Sequence, residues 1–387
     1  MAVSPDHQAI NPDLANGITG VYNLRVMTAR VAIVHDWLNG MRGGEKVLEG
    51  MLDIFPAADI FTLFYSPDKV SSKIRDHRVT ASYLNRYAPA RRYYRHCLPL
   101  MPRAVESFDL STYDLVISTS HCVAKGAIPP PHAPHISYVF TPMRYIWDQY
   151  PRYFGRARGL KKWLIRRAAT RLRTWDAASA ARVDRFAADS TYVAARIRKY
   201  YRRDAAVVFP PVDTDFFCPG ESSKQDYFLA VTALVPYKRV DLLVETFNRT
   251  GDPLLIVGGG PEKRDLQRRA AANIRFEENL SVEDLRERYR RARAFVHAGL
   301  EDFGIAFAEA LACGTPVLAS ARGGVADIVT PGRTGLLVAD ISVDAFAAAV
   351  EEMRVKTFDP GVLRAESLRF SPARFREGFS RLVDEVS

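Results

Sequence analysis

The sequence predicts an α/β protein built of two doubly wound parallel-sheet domains facing each other across a cleft. Three observations predict it. Short apolar runs alternate with helix-period segments along the chain, the pattern of parallel strands joined by crossovers. One stiff connector, Pro210-Pro211-Val212-Asp213, interrupts that alternation near the middle. With 387 residues, 48% hydrophobic and 25% charged, the chain is globular and longer than one ordinary core supports.

In the first half, Arg30–His35 reads as a buried strand that runs into a turn holding Arg42-Gly43-Gly44-Glu45. An apolar-periodic helix follows, through Val47, Leu48, Met51, Leu52 and Phe55. Further strands are expected at Asp59–Leu63, Asp114–Ser118, His135–Phe140 and Val183–Ala188. The second half is more regular, with strands at Tyr227–Thr232, Pro253–Val257, Asn273–Phe276, Ala294–His297, Pro316–Ala319 and Leu336–Val338. Helical patterns lie between them, at about 240–249, 262–272, 281–291, 304–313 and 342–353. The reading therefore divides the chain into a flexible N-terminus over 1–29, a Rossmann-like domain over 30–210 and a second one over 211–368. Ligands of such sheets bind at the carboxyl ends of the strands, here in the cleft between the domains.

Composition narrows the function. Cys97, Cys122, Cys218 and Cys313 lack metal-ligand spacing, which argues for a reducing, cytoplasmic setting and against a disulfide frame or a zinc site. No signal-peptide core and no membrane-spanning run is read in the sequence. Residues 1–210 hold 31 Lys+Arg against 17 Asp+Glu, whereas the remainder holds 23 against 27. Such asymmetry implies an anionic partner for the basic half. Residues 152–173 contain nine Arg and Lys and no acid. There Leu160, Leu164, Ala168, Leu172 and Trp175 recur at helical spacing, beside Lys161, Lys162, Trp163, Arg166, Arg167 and Arg171. This basic amphipathic helix suits an anionic membrane surface, with a solvated face packed on the sheet as the alternative. Arg86, Arg91, Arg92 and Arg95, interleaved with Tyr87, Tyr93 and Tyr94, form a second basic patch. No recognised nucleic-acid module accompanies either patch, so nucleic acid is not the expected partner.

The most informative stretch is 301–315. A strand ending at His297 enters a turn carrying Glu301, a helix starts behind it, and Glu309 lies inside that helix. Free N–H groups and the partial positive charge of a helix start make Phe303, Gly304 and Ile305 an anion cradle. From Gly304 to Glu309 the helix rises roughly 7–8 Å, about the distance from a diphosphate to its ribose diol. The constellation describes a nucleotide-sugar site. Lys238 and Arg239, just past the strand 227–232, are placed to meet a phosphate whose charge grows as it departs. Gly43 and Gly44, on the first strand–helix turn, let backbone amides approach a phosphate or sugar closely. Gly258-Gly259-Gly260-Pro261 lacks the third glycine and ribose acid of a dinucleotide fingerprint. Asp213-Thr214-Asp215 has the D-x-D form of a metal–nucleotide holder, but at a domain boundary it fits a turn cap better. His121 and, close behind it, Lys125 are both placed to face the cleft, His121 as a catalytic candidate with a hydrogen-bonded structural histidine as the alternative.

Together, Gly43-Gly44, Pro236-Tyr237-Lys238-Arg239, Gly258 to Glu262, the 301–317 block and Arg322-Gly323-Gly324 resemble retaining glycosyltransferases of the GT-B fold, of the "group 1" type, family four. His35-Asp36-Trp37 and Thr141 to Asp148 resemble the branch of mannosyltransferases that build bacterial surface polysaccharides. The resemblance implies transfer of a hexose, mannose from GDP-mannose, to a lipid-linked glycan at the inner face of the cell membrane. It implies retained anomeric configuration, no cofactor and no active-site metal. Glu301 would contact the transferred sugar, Glu309 the ribose and Lys238 the diphosphate, which Gly44 would approach from the other domain. The last helix, over 369–387, would cross back to the first domain, and base recognition would lie near Phe276–Leu280. Two positions depart from the pattern: Ala233 stands where many relatives carry an arginine, and Phe140 where many carry a histidine. A catalytically silent nucleotide-sugar-binding subunit, a UDP-sugar-dependent transferase, and a phosphorylase or nucleoside-diphosphate-sugar synthase of similar fold are the alternatives.

Overall fold

The computed structural model describes residues 29–155, 157–221 and 223–386. The expected flexible N-terminus thus lies, up to residue 28, outside the described residues. The first sheet has seven strands: β1 (Val31–His35), β2 (Asp59–Thr62), β3 (Val79–Ala81), β4 (Leu115–Ser120), β5 (His135–Val139), β6 (Arg185–Ala188) and β7 (Ala206–Val207). Their order is β3-β2-β1-β4-β5-β6-β7. The second sheet, β8 (Phe228–Val231), β9 (Leu254–Val257), β10 (Ile274–Glu277), β11 (Ala294–His297), β12 (Val317–Ser320) and β13 (Gly335–Val338), runs β10-β9-β8-β11-β12-β13. Every named pairing is parallel, so helices cover both faces and the strands are apolar almost throughout. Strand order reverses between β1 and β4 in one sheet and between β8 and β11 in the other. Those two switch points are where side chains leave the sheets for a ligand crevice.

The short edge strands β3 and β7 were not read from the sequence. Three residues and two residues are too few for an alternation signal, and their pairing depends on β2 and β6 already being in place.

The helix Gly43–Ile54 buries Val47, Leu48 and Met51 completely against the first sheet. The last helix, Pro372–Asp384, starts on a Ser371 cap and lays Phe375, Phe379, Leu382 and Val383 into the same N-terminal core. Gly50 makes this possible, since a Cβ there would sit 2.9 Å from the Phe375 ring. The last described helix thus packs on the N-terminal domain. The turn after β1 is held by Asp36, fully buried, whose carboxylate accepts the backbone N–H groups of His121, Cys122, Val123 and Ala124 at 2.7–2.8 Å. One side chain therefore ties the β1 loop to the β4 loop across the switch point.

Lys125 does not face the cleft as expected. It is buried in the N-terminal domain, with Nζ 2.9 Å from Asp176 and 2.6 Å from the Ser179 hydroxyl. Asp176 also accepts from Trp147 at 2.7 Å and Tyr201 at 3.0 Å. A buried lysine must be paired, and the long helix Gly159–Ser179 supplies the partner. That docking revises the expected apolar stripe. The second half of the helix buries Ala169, Leu172, Asp176 and Ser179, whereas Leu160 (72% exposed), Trp163 (57%) and Leu164 (53%) point outward beside exposed Lys161, Lys162, Arg166 and Arg167.

Replacing Phe375 by Ala is expected to cost about 3–5 kcal/mol. Because the helix belongs to the N-terminal core, urea unfolding followed by separate probes should show the N-terminal transition moving and the C-terminal one staying in place. His35, His135 and His297 are buried, and burial holds all three imidazoles down at about 4 instead of 6.5. Between those values the unfolded chain binds protons that the native state refuses. Stability present above pH 6.5 should therefore fall on acidification, by up to about 1.4 kcal/mol per pH unit for each histidine. Unfolding free energies that stay level from pH 7 to pH 5 would contradict this.

Candidate active site

Both switch points deliver their loops to one place between the domains. On the C-terminal side β11 ends at His297, and Gly299 follows with no room for a Cβ, which would stand 2.6 Å from the Lys238 backbone. That close approach sets Lys238, from the turn after β8, against Glu301. Lys238 Nζ and Glu301 Oε1 form a direct ion pair. Burial alone would raise the Glu301 carboxyl, but Lys238 and then His297 outweigh it and hold it below the usual range, so Glu301 is ionised. His297 Nε2 lies 3.2 Å from Glu301 Oε1, yet the geometry makes no hydrogen bond and this buried nitrogen has no partner. Sequence reading treated His297 only as the end of a strand. An unpaired polar atom beside the central carboxylate marks it as ready for a ligand hydroxyl.

The helix Ile305–Ala312 begins one residue later than expected, after Gly304 at φ +96°, a conformation that disfavours any side chain. Gly304 provides no capping side chain, leaving the first amides of the helix open. Phe303 can serve the cradle only through its backbone amide. Its ring is buried, 5.8 Å from Phe209 and 5.6 Å from Phe370. Glu309, further along the helix, accepts from the Tyr289 hydroxyl at 3.0 Å and pairs with Lys46 Nζ at 3.3 Å. Lys46 comes from the opposite domain and was not picked out from the sequence.

On the N-terminal side, Gly43 opens its helix directly against Ile305, the first residue of the facing helix. A Cβ on Gly43 would stand 2.8 Å from Ile305 Cδ1. Gly44 has the Phe140 ring 3.4 Å and His35 Cε1 3.5 Å from where its Cβ would be. Two helix N-termini thus meet across the domain boundary. His35 donates to or accepts from Thr119 at 2.6 Å and lies 4.0 Å from Glu45, whose carboxyl burial pushes up. His121 stays at the rim, 31% exposed, 3.2 Å from Asp36 and edge-on to Trp37 at 4.3 Å. Its ring is 6.3 Å from that of Phe140.

Asp302, next to Glu301, is the main link between the domains. It pairs with Arg144 and, at 3.0 Å, with Arg196, while its backbone carbonyl accepts from Ser190 at 2.6 Å. Arg196 also holds Asp148 at 2.6 Å, and Asp327 accepts from the amide and hydroxyl of Thr191 at 2.7 Å. These partners are far apart in the chain and carried no local signal.

Other predicted groups are elsewhere. Arg239 sits at φ +53° with its guanidinium on Asp241 at 3.1 Å, not on the Glu301 carboxylate. The Gly258 turn packs on the backbone of Thr232, where a Cβ would come within 2.0 Å of the carbonyl oxygen, so it closes a turn. Asp213 accepts from the Phe216 amide at 3.0 Å, as a turn cap does. Among the described residues no group of three potential metal-ligating His, Cys, Asp or Glu side chains gathers.

Residues 212–354 match the family model described as glycosyl transferases group 1. The chain is 33% identical over 195 residues to the GDP-mannose-dependent alpha-(1-6)-phosphatidylinositol monomannoside mannosyltransferase of Mycolicibacterium smegmatis, covering 42% of this chain and 51% of that protein. It is 34% identical over 241 residues to the D-inositol 3-phosphate glycosyltransferase of Geodermatophilus obscurus, covering 53% and 52%. The match thus spans about half the length of each relative. Two solved structures share the whole architecture: the lipopolysaccharide outer core galactosyltransferase WaaB, apo form (TM-score 0.65, 17% identity, 92% of this chain and 100% of that one), and Anabaena HepE in complex with UDP and glucose (0.69, 14%, 92% and 99%). Two parallel α/β domains with their switch points turned toward each other form the GT-B fold of those structures, and residues 212–354, less than half of the chain, match the group 1 glycosyl transferase model.

Proposed function

We propose that the protein transfers a hexose from a nucleoside diphosphate sugar to an acceptor hydroxyl, with retention of anomeric configuration and without a catalytic metal. The observation that carries this reading is the Lys238–Glu301 pair beside the open start of the Ile305–Ala312 helix, facing Gly43 and Gly44. The donor's diphosphate would lie on the helix amides, where two N-termini converge, with Lys238 as its side-chain cation. Glu301, held ionised, would accept hydrogen bonds from the hexose hydroxyls. Glu309 would take the ribose diol, displacing the half-exposed Lys46 while Tyr289 keeps the carboxylate oriented. As the bond from the anomeric carbon to phosphate oxygen breaks, its electron pair goes to the diphosphate. The acceptor oxygen bonds to carbon from that same side and its proton passes to the departing phosphate oxygen. Lys238 and the helix amides stabilise the charge that grows there.

Mannose from GDP-mannose is the donor we favour, on the printed activity of the Mycolicibacterium relative and the resemblance of Thr141 to Asp148. A lipid-linked glycan at the cytoplasmic face of the membrane is the proposed acceptor. Support for surface attachment comes from the outward Leu160, Trp163 and Leu164 among exposed lysines and arginines. No helix among the described residues is long and apolar enough to cross a membrane. A second reading, a silent donor-binding subunit, draws on Phe140 and Ala233. Donor binding without turnover across an acceptor panel would select it.

A thermal-shift screen with GDP, UDP and their sugars should raise the melting temperature with one nucleotide series. Glu301→Gln should lower kcat about 10²–10³-fold with nucleotide affinity retained. Glu309→Ala should weaken nucleotide binding roughly tenfold. Initial rates and titrations read both, and equal, negligible effects would overturn the assigned roles.

A further inference from the structure

His297 has no part in the transfer chemistry so far, yet its Nε2 is buried without a partner, 3.2 Å from Glu301 Oε1. The ring cannot swing to correct this. His297 ends β11 in register with Ala319 of β12 and is 2% exposed. Phe307 stands edge-on to it, centroids 5.4 Å apart at 78°, and fills the space that a Cβ on Gly304 would need. The backbone around Glu301 is equally fixed. Gly324 donates to the Glu301 carbonyl at 3.0 Å, and Ser320 to the Gly299 carbonyl at 3.0 Å. What is left to turn is the Glu301 side chain, 20% exposed.

A ligand hydroxyl reaches Nε2 only past that carboxylate, because the atom has no open surface, so Glu301 is the nearer partner. Beside an ionised carboxylate the imidazole keeps its proton on Nε2, since a lone pair there would face negative charge. Burial holds the ring neutral, at about 4, so it donates a hydrogen bond without adding a second cation. The charged groups facing Glu301 are Lys238 from the turn after β8, His297 from β11, and Arg144 from the opposite domain, itself paired with Asp302. Lys238 and His297 both address Oε1 and leave Oε2 alone. As negative charge grows on a departing phosphate oxygen, it draws Lys238 away, and a buried carboxylate stripped of its partner tends to take up a proton. Glu301 then needs a donor that the diphosphate cannot claim.

Resting on the transferase reading, we infer that His297 is a positioning residue for Glu301: once the donor's diphosphate engages Lys238, Glu301 turns and its Oε1 accepts the His297 Nε2–H, leaving Oε2 to the hexose hydroxyl. The exchange keeps Glu301 ionised and aimed while Lys238 serves the leaving group. It also gives the orphaned nitrogen its partner.

The test has two arms, both on the full chain. The first needs no substrate. Imidazole NMR of histidine-labelled protein at neutral pH compares wild type with Lys238→Ala, in which Glu301 has already lost its lysine, and His297→Phe assigns the signal. Lys238→Ala should show a neutral Nε2–H imidazole whose proton moves downfield as it bonds to the carboxylate. An unmoved resonance, or an Nδ1–H tautomer, overturns the exchange. The second arm follows kcat against pH with saturating nucleotide sugar. A donor to the ionised form lowers a carboxyl pKa, so its loss in His297→Phe should move the acidic limb up by about one pH unit and lower kcat about tenfold at neutral pH. Nucleoside diphosphate affinity should not change. His297→Gln, which returns an N–H near the Nε2 position, should bring the limb back. A limb that stays in place in His297→Phe, or a loss that glutamine does not restore, leaves His297 a purely structural role and overturns the inference. If wild type turns over no nucleotide sugar, the transferase reading fails instead, and the ligand-free NMR comparison still decides the exchange.

Discussion

The arrangement on which everything else depends is the meeting of two helix starts across the domain boundary. Gly43 and Ile305 are the first residues of their helices and touch each other. Each start carries open amides and a partial positive charge, so bringing them together is unfavourable unless something anionic lies between or beside them. Glu45, in the first turn of the Gly43–Ile54 helix, meets part of that requirement by accepting the Arg42 amide, and the Lys46–Glu309 pair helps bridge the two halves. A nucleoside diphosphate meets it more fully. The need for a negative charge at this junction links domain closure to ligand binding without any additional device.

Closure is also linked to the position of Glu301. Its neighbour Asp302 is gripped by Arg144 and Arg196, and Ser190 donates to Asp302's own backbone carbonyl. Those three residues belong to the N-terminal domain. The turn carrying the central carboxylate is therefore held from both sides, by Lys238 within its own domain and by the arginine pair opposite. Buried charge pairs of this kind are weak sources of net stability but strong sources of geometric specificity when every oxygen has a partner. Asp36 does similar work inside the N-terminal domain, where four backbone amides converge on one carboxylate and hold the β1 and β4 loops in register. The Lys125–Asp176 network then docks the long basic helix so that its first two turns project outward.

How much was legible in the chain varies with the range of the interaction. Strands β1, β2, β4 to β6 and β8 to β13 follow from apolar runs bounded by turn residues, because strands covered on both faces need continuous hydrophobic sequence. The Glu301–Gly304–Glu309 block was readable for a similar reason: strand, turn and helix are contiguous, and helix geometry alone spaces the groups. Burial of the Phe303 ring was not legible, because an exposed backbone role and a buried ring look alike in sequence, and only the stacked Phe209 and edge-on Phe370 reveal the second. Lys125 and Arg239 were misjudged for another reason. A cation near a strand end points wherever its partner is, and Asp176 and Asp241 were the partners.

By itself the sequence determined the fold class, the two-domain division and the local strand–turn–helix units, since each arises from periodicity and turn chemistry within short segments. Tertiary structure alone decided which loops face each other, and with that the pairing of Lys46 with Glu309, the clamp on Asp302 and the unpartnered His297 nitrogen. The physical reason is that these contacts join residues tens to hundreds of positions apart. Their energies depend on burial and on the partner's charge, and neither quantity exists until the two sheets are packed and their switch points turned toward one another.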